Sequence, residues 1–397
     1  MTSTPRHGRL ARRGPVKPIL AFIASTLAVL LVSTASVAAI AVWQISSSFA
    51  PGVNIQAEGE APPAVGPINE PVNVLLVGSD SGEGNAAYGD RGENLNDVTI
   101  LLHISPISHS ATVVSFQRDM FVPIVGCENG NPGTRKINET LYYGGLACSV
   151  STVEALTGLQ IGYAAKIEFD GVIAMSDAVG GVEVCVAEPI HDLQIGLDLE
   201  SGTHTLQGWN ALQFLRSRHG VGDGSDTTRV SNQQLFMAAL MRKVKAEGTL
   251  TNPVTVYGLA KAAADNMQLS TSLSSINTMA AMALAVKDIP TANISFVAYP
   301  AGATTVGGVG GVAPRTTEAK VLMDAIAADA RVVVTGDPGG GAVAGEEIVD
   351  APTPDPTASG SPAPTETAAP PENVVELPST INGQPASEQT CTNGNTF

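Results

Sequence analysis

The chain has 397 residues, with 21 Lys and Arg against 37 Asp and Glu, and a net charge of −16. So acidic a balance speaks against nucleic acid as a partner, since that function leaves a basic footprint. Four cysteines without a CxxC, and six histidines without HExxH or HxxxH spacing, speak against a zinc site.

Residues 1–17 carry Arg6, Arg9, Arg12, Arg13 and Lys17 and no acid, and residues 18–43 carry no charge at all. That apolar run is long enough for a hydrocarbon core about 30 Å thick. A cleaved signal peptide is the alternative, but the run exceeds the roughly 7–15 residues of a signal h-region. Positive charge on the short flank keeps that flank in the cytoplasm. The reading is therefore a single-pass signal-anchor in the cell membrane, with everything after it outside. There 16 Lys and Arg face 37 acids, so a cluster of arginines stands out. Disulfides persist in that compartment; Cys127 and Cys148 flank a Gly- and Asn-rich loop and are the favoured pair, which leaves Cys185 and Cys391.

Residues 44–71, rich in Pro, Gly, Ala and Glu, read as an extracellular linker. From residue 72 the pattern changes to short β-branched runs at 72–78, 98–104, 111–116, 182–186 and 294–299, several apolar on both faces. Helical patterns lie between them at 151–159, 171–181, 208–215, 230–248, about 255–267, 272–286 and 318–330. The alternation predicts one α/β domain over 72–334, an α–β–α sandwich with a central mixed sheet. Residues 335–371 are too rich in Gly, Pro and Thr to bury a core and read as a disordered linker. The tail 372–397 is less biased and could dock on the domain through Cys391.

The groups suited to chemistry sit at strand ends. Asp80 follows the first strand and Asp97 enters the second; neighbouring carboxylates could share a hard cation such as Mg²⁺. Arg118 and Asp119 follow the third strand, and Lys136 and Asn138 stand at a helix entrance. The stretch 216–234 then packs Arg216, Arg218, Asp226, Arg229 and Gln233 together with three glycines. Arginine forks suit phosphate. On a helix Arg216 and Arg218 would point apart, so they can share a ligand only if the helix stops near Leu215. Arg229 and Gln233, four apart, share a face at the next helix entrance, where anions bind well.

The segments NVLLVGSD, NDVTILLHI, VSFQRDM, KINETLYYGG, FDGVIAMSDAVGGVEVCV and FLRSRHGVGDGSDTTRVSNQQ, in this order over residues 72–250, resemble the LytR–CpsA–Psr proteins. Members are membrane-anchored enzymes of Gram-positive bacteria that transfer anionic glycopolymers from a polyprenyl-diphosphate carrier to a muramic acid hydroxyl of peptidoglycan. The resemblance implies Asp80 and Asp97 as Mg²⁺ ligands, and Arg118, Lys136, Arg216, Arg218, Arg229 and Gln233 as diphosphate-binding groups. Arg118, Arg216, Arg218 and Asp226 become the catalytic set, with Asp97 or Asp226 as candidates for the base. The family usually has an Arg two residues before the second metal-binding Asp; Leu95 stands there, and Arg91 is the candidate replacement. Many relatives also pair the equivalent of Cys185 with a cysteine near 202–204, where this chain has none, so Cys185 pairs elsewhere, with Cys391, or stays free. Two alternatives stand beside this one: a polyprenyl-diphosphate pyrophosphatase, which would use the same residues, and a non-catalytic envelope regulator that binds the lipid-linked polymer.

Overall fold

The computed structural model describes residues 16–56, 70–80, 94–246, 249, 252–345 and 373–395. The basic residues before 16, Arg91, and most of the two linkers lie outside these. The chain divides into two units, residues 1–48 and 49–397. In the first, helix α1 (Val16–Ser48) holds a 27-residue segment, Ile19–Ile45, of mean hydropathy 2.2. It is long and apolar enough to cross a membrane.

The second unit is built on a seven-stranded mixed sheet. Its centre is β1 (Val72–Ser79), β2 (Asn96–Ser105) and β3 (Ser110–Phe116), joined as an antiparallel meander. Tyr163–Ile167 runs parallel to β1 and Ile294–Ala298 parallel to β3; the edges are Met267–Leu269 and Gly383–Pro385. Alternation along the strands feeds two cores. Leu75, Val77, Leu101, Val114 and Phe116 face helices α2 (Thr140–Thr157) and, later in the chain, Thr316–Ala327. Ile100, Ile104, Val113 and Phe296 face the other side. Between these two points in the chain come α3 (Phe169–Ala178), α4 (Gly208–Arg216), α5 (Asp226–Lys245), α6 (Pro253–Asn266) and α7 (Ile276–Lys287). Helices α5 and α7 cover that second face. The predicted α–β–α sandwich with a mixed sheet is what the chain forms.

Two differences matter for the site. The run 182–186 is not a strand of the central sheet. It belongs to a second, four-stranded sheet with Gly202–Leu206, Ala342–Ala344 and Thr390–Thr392. Helix α5 lies between the sheets: Leu235, Phe236 and Ala239 pack on the small one, Ala238 on the large one. The body also does not stop at 334. Residues 342–344 and three strands between 374 and 392 are woven into both sheets and against Arg331–Val333. Backbone pairing, which composition does not register, holds this tail in place.

Cys127–Cys148 closes as expected, and the pairing left open for Cys185 is resolved as Cys185–Cys391. The second joins residues directly opposite each other on adjacent parallel strands.

Candidate active site

The site lies beyond the carboxyl ends of β1 and β3, where ligands of open α/β sheets tend to bind. The β1–β2 ladder pairs Gly78 with Val98 but Ser79 with Asn96, so Asp97 is the extra residue of a β-bulge. A bulge re-aims one side chain out of the alternation. Asp80 follows at once, its backbone N–H donating to the Leu95 carbonyl at 3.1 Å, and it is 5 % exposed. The two expected metal ligands therefore flank the Ser79–Asn96 pair at the end of one antiparallel ladder, Asp97 as the bulged residue and Asp80 just past the end of β1. The bulge is anchored by Asn96, fully buried, which donates to Thr99 Oγ1 at 2.7 Å and accepts from Thr140 Oγ1 at 3.1 Å.

After β3 the chain makes a tight turn, closed by Met120 N–H on the Gln117 carbonyl at 3.1 Å. Arg118 and Asp119 are its central residues. The Arg118 guanidinium donates to Asp97 Oδ1 in a short contact, and its backbone N–H donates to Asp226 Oδ2 at 3.1 Å. Asp226 is the first residue of α5, but Ser225 does the capping, accepting from Thr228 N–H at 3.2 Å. The Asp226 carboxylate is thereby released for ion pairing. Its Oδ1 accepts from Arg229 Nη2 at 2.6 Å, one helical turn on, and Arg229 also donates to the Asp97 carbonyl at 3.2 Å. Asp97 Oδ2 lies 3.7 Å from Arg229 Nη1. Two guanidinium groups from distant segments thus meet over two carboxylates. The Nε atoms of both arginines are buried without a hydrogen-bond partner among the described residues.

A second group adjoins the first. Lys136 Nζ donates to Asp119 Oδ1 at 2.9 Å. Burial alone would raise the Asp119 carboxyl, but the Lys136 hydrogen bond and the charges of Arg118, Lys136 and Arg218 bring it below its ordinary value. Burial likewise opposes the charge on Arg118, and Asp97, Asp119 and Asp226 together overcome it, holding this guanidinium above its ordinary value. Asn138, 6 % exposed, ties the next segment to the turn through its N–H on the Arg118 carbonyl at 3.2 Å.

Helix α4 ends at Arg216 and the chain extends from Ser217, within a residue of the expected stop. Arg218 reaches forward, its Nε donating to the Gly224 carbonyl at 2.9 Å. Arg216 instead lies over the Phe169 ring at 4.5 Å and donates to Gln213 Oε1 at 3.1 Å. Gln233 is 7 % exposed and its amide donates to the Leu215 carbonyl at 3.1 Å, tying α5 to the end of α4. Sequence reasoning passed over Asp192. It is 2 % exposed, and its Oδ2 accepts from Ser217 Oγ and from the amides of Arg218 and Gly220 at 2.9–3.3 Å. No periodicity marks such a carboxylate, because its partners lie about 25 positions ahead.

Asp80 and Asp97 supply hard oxygen donors, and no cluster of three or more His, Cys, Asp or Glu suited to a metal occurs among the described residues. That donor set fits Mg²⁺, which takes one or two carboxylates and completes its shell with water and phosphate oxygens.

The sequence model of the LytR_cpsA_psr family matches residues 46–327. The chain belongs to the LytR–CpsA–Psr family. LcpB of Corynebacterium glutamicum is 37 % identical over 194 residues, 47 % of this chain and 45 % of that protein. The polyisoprenyl-teichoic acid–peptidoglycan teichoic acid transferase TagU of Bacillus cereus is 33 % identical over 193 residues, 48 % and 57 % of the two chains. The chain thus spans about half the length of these curated relatives. Among solved structures, the LytR-Csp2A-Psr enzyme from Actinomyces oris shares the LytR–CpsA–Psr fold at 23 % identity and a TM-score of 0.53, over 70 % of this chain and 96 % of that one. Protein gbs0355 from Streptococcus agalactiae does so at 24 % and 0.57, over 66 % and 88 %.

Proposed function

We propose that the chain is a phosphotransferase, anchored by α1 with its folded body outside the cell, that moves an anionic glycopolymer from a polyprenyl-diphosphate carrier to a muramic acid hydroxyl of peptidoglycan. The observation that supports it most is the meeting of Arg118 and Arg229 over Asp97 and Asp226. The name borne by TagU, a transferase of polyisoprenyl-linked teichoic acid to peptidoglycan, points the same way.

The charges give the reading its physical content. Four cations, Arg118, Lys136, Arg218 and Arg229, stand with four carboxylates, Asp80, Asp97, Asp119 and Asp226. The free site is nearly neutral, so a diphosphate brings negative charge that these groups do not balance. Asp80 and Asp97 would hold Mg²⁺, which when bound supplies the missing positive charge. The arginines exchange carboxylate partners for phosphate oxygens and stabilise the charge that spreads over them in the transition state. The acceptor hydroxyl oxygen bonds to the sugar-side phosphorus as the bond from that phosphorus to the bridging oxygen breaks. Polyprenyl monophosphate leaves with the electron pair, and the hydroxyl proton passes to Asp97 or Asp226.

Full-length protein in detergent, given a synthetic polyprenyl-diphosphate saccharide and a muropeptide, should yield a muramic acid phosphodiester. Chelation should stop the reaction and Mg²⁺ restore it. Arg118→Ala should slow it by roughly 10²–10³-fold, as loss of one preorganised charge-stabilising donor does. A sugar phosphate released with no muramic acid attached would replace the transferase with a pyrophosphatase. An undiminished rate from Arg118→Ala would remove Arg118 from the catalytic set, and failure of the wild-type protein to yield either product would leave only a binding role.

A further inference from the structure

The loop that carries Arg218 is held from two sides, and the second side is a segment beyond the residues the family model matches. Asp192 takes Ser217, Arg218 and Gly220 on one side. On the other, Gly394 pairs with Val221 in an antiparallel bridge. Gly222 N–H donates to the Asn393 carbonyl at 2.8 Å, and Asn395 N–H donates to the Gly220 carbonyl at 2.9 Å. The Asn395 amide adds a bond to the His219 carbonyl at 3.1 Å. We propose that residues 393–395 are a positioning element for the diphosphate site, fixing the loop that carries Arg218.

The loop needs such a brace. Gly222 and Gly224 have φ of 48° and 74°, so the intrinsic preference of the chain there is weak. Arg218 spends its Nε on Gly224 within the same loop, so wherever the loop goes the guanidinium follows. The brace itself is fixed at its root. Cys391 is bonded to Cys185, Thr392 Oγ1 donates to Asn232 Oδ1 of α5 at 2.7 Å, and Asn393 N–H donates to the Gly341 carbonyl at 3.1 Å. Helix α5 is the element that also presents Asp226 and Arg229, so the brace holds Arg218 in register with the arginine pair. A Cβ on Gly394 would collide with the carbonyls of Glu188 and Pro189, which makes the close seat of this segment dependent on glycine. Prearranging a charged group in this way favours binding by removing the cost of ordering it.

The inference rests on the transferase reading. The test uses full-length Gly394→Ala, which displaces the segment, and Asn395→Asp, which turns the donor toward His219 into an acceptor. Val375→Ala, in the separate pairing of Val374–Glu376 with Arg331–Val333, controls for general loss of stability. Hydrogen exchange at the Gly220 and Gly222 amides should quicken in the two brace variants and not in Val375→Ala. The KM for the polyprenyl-diphosphate donor should rise roughly ten-fold, equivalent to about 1.4 kcal/mol, with the muropeptide KM unchanged. A donor KM equal to the wild type despite faster exchange, or exchange that does not change, overturns the brace. Arg118→Ala measured alongside separates the two ideas. Loss of transfer there with a normal donor KM in Gly394→Ala sinks the brace alone, whereas no phosphodiester from the wild-type protein removes the transferase reading and the brace's role with it.

Discussion

Asp226 shows how much one side chain settles. Its two oxygens accept from different donors, the Arg118 amide and Arg229 Nη2, so both must be acceptors at once. Asp226→Asn keeps the size but turns one position into a donor facing a donor, beside an arginine whose side chain is only 6 % exposed. We expect a loss of about 3–5 kcal/mol, the range for breaking a buried charged pair from one side, read as a lower urea midpoint, together with lost transfer. Asp119 offers a pH test. Its folded carboxyl titrates below 3.8, so between that value and its folded pKa the unfolded chain binds the extra proton. Its stabilising contribution is full above 3.8 and drains as pH falls through the folded value. Asp119→Asn should flatten the stability profile in that window. The sequence made Arg118, Asp97, Asp226 and Arg229 visible, because charged residues at strand and helix ends are countable. It set Asp119 next to Arg118 in the chain; in the fold Lys136 holds Asp119 more closely than Arg118 does, 2.9 Å against 3.9 Å. Partners brought together by the tertiary fold leave no local mark.

At the scale of elements, α5 is the part whose sequence misleads most. Its consecutive polar residues Asn232, Gln233 and Gln234 point round the helix, yet all are buried because the helix lies between two sheets. Each is tied in: Asn232 donates to the Phe214 carbonyl at 2.9 Å, and Gln234 to Ser115 Oγ at 3.3 Å. Asn232→Ala would strand that carbonyl and the Thr392 hydroxyl. A loss of about 2–4 kcal/mol in chemical denaturation is expected from two unsatisfied buried groups. Helix α2 was read from its entrance at Lys136 and Asn138 and again over 151–159, without the stretch between that joins the two. The structure breaks regular geometry in that stretch, with Gly145 at φ 64°, yet the helix resumes beyond it. The strands 163–167 and 267–269 were missed because three to five residues rich in Ala and Met give no period to read.

For the whole molecule, the boundary set at 334 is the main departure from the sequence reading. Pro- and Gly-rich composition speaks against a core built by 335–371 alone, but it says nothing about strands that borrow one. Gly383–Pro385 adds an edge to the central sheet, and Thr390–Thr392 takes an inner place in the small one. The two disulfides differ accordingly. Cys127–Cys148 closes 21 residues and Cys185–Cys391 closes 206. Chain entropy gives about 3 and about 5 kcal/mol respectively, so replacing both cysteines of the longer pair with serine should lower the thermal midpoint more than the same change in the shorter pair. The inner place of residues 390–392 also sets a timetable. While the chain is being made, the strand Val182–Val186 has a gap along one edge and the arginine loop has a missing wall, and neither is filled until residue 395 has been synthesised. Asp97, Arg118, Arg218, Asp226 and Arg229 have therefore all been synthesised before the segment that closes the fold around them.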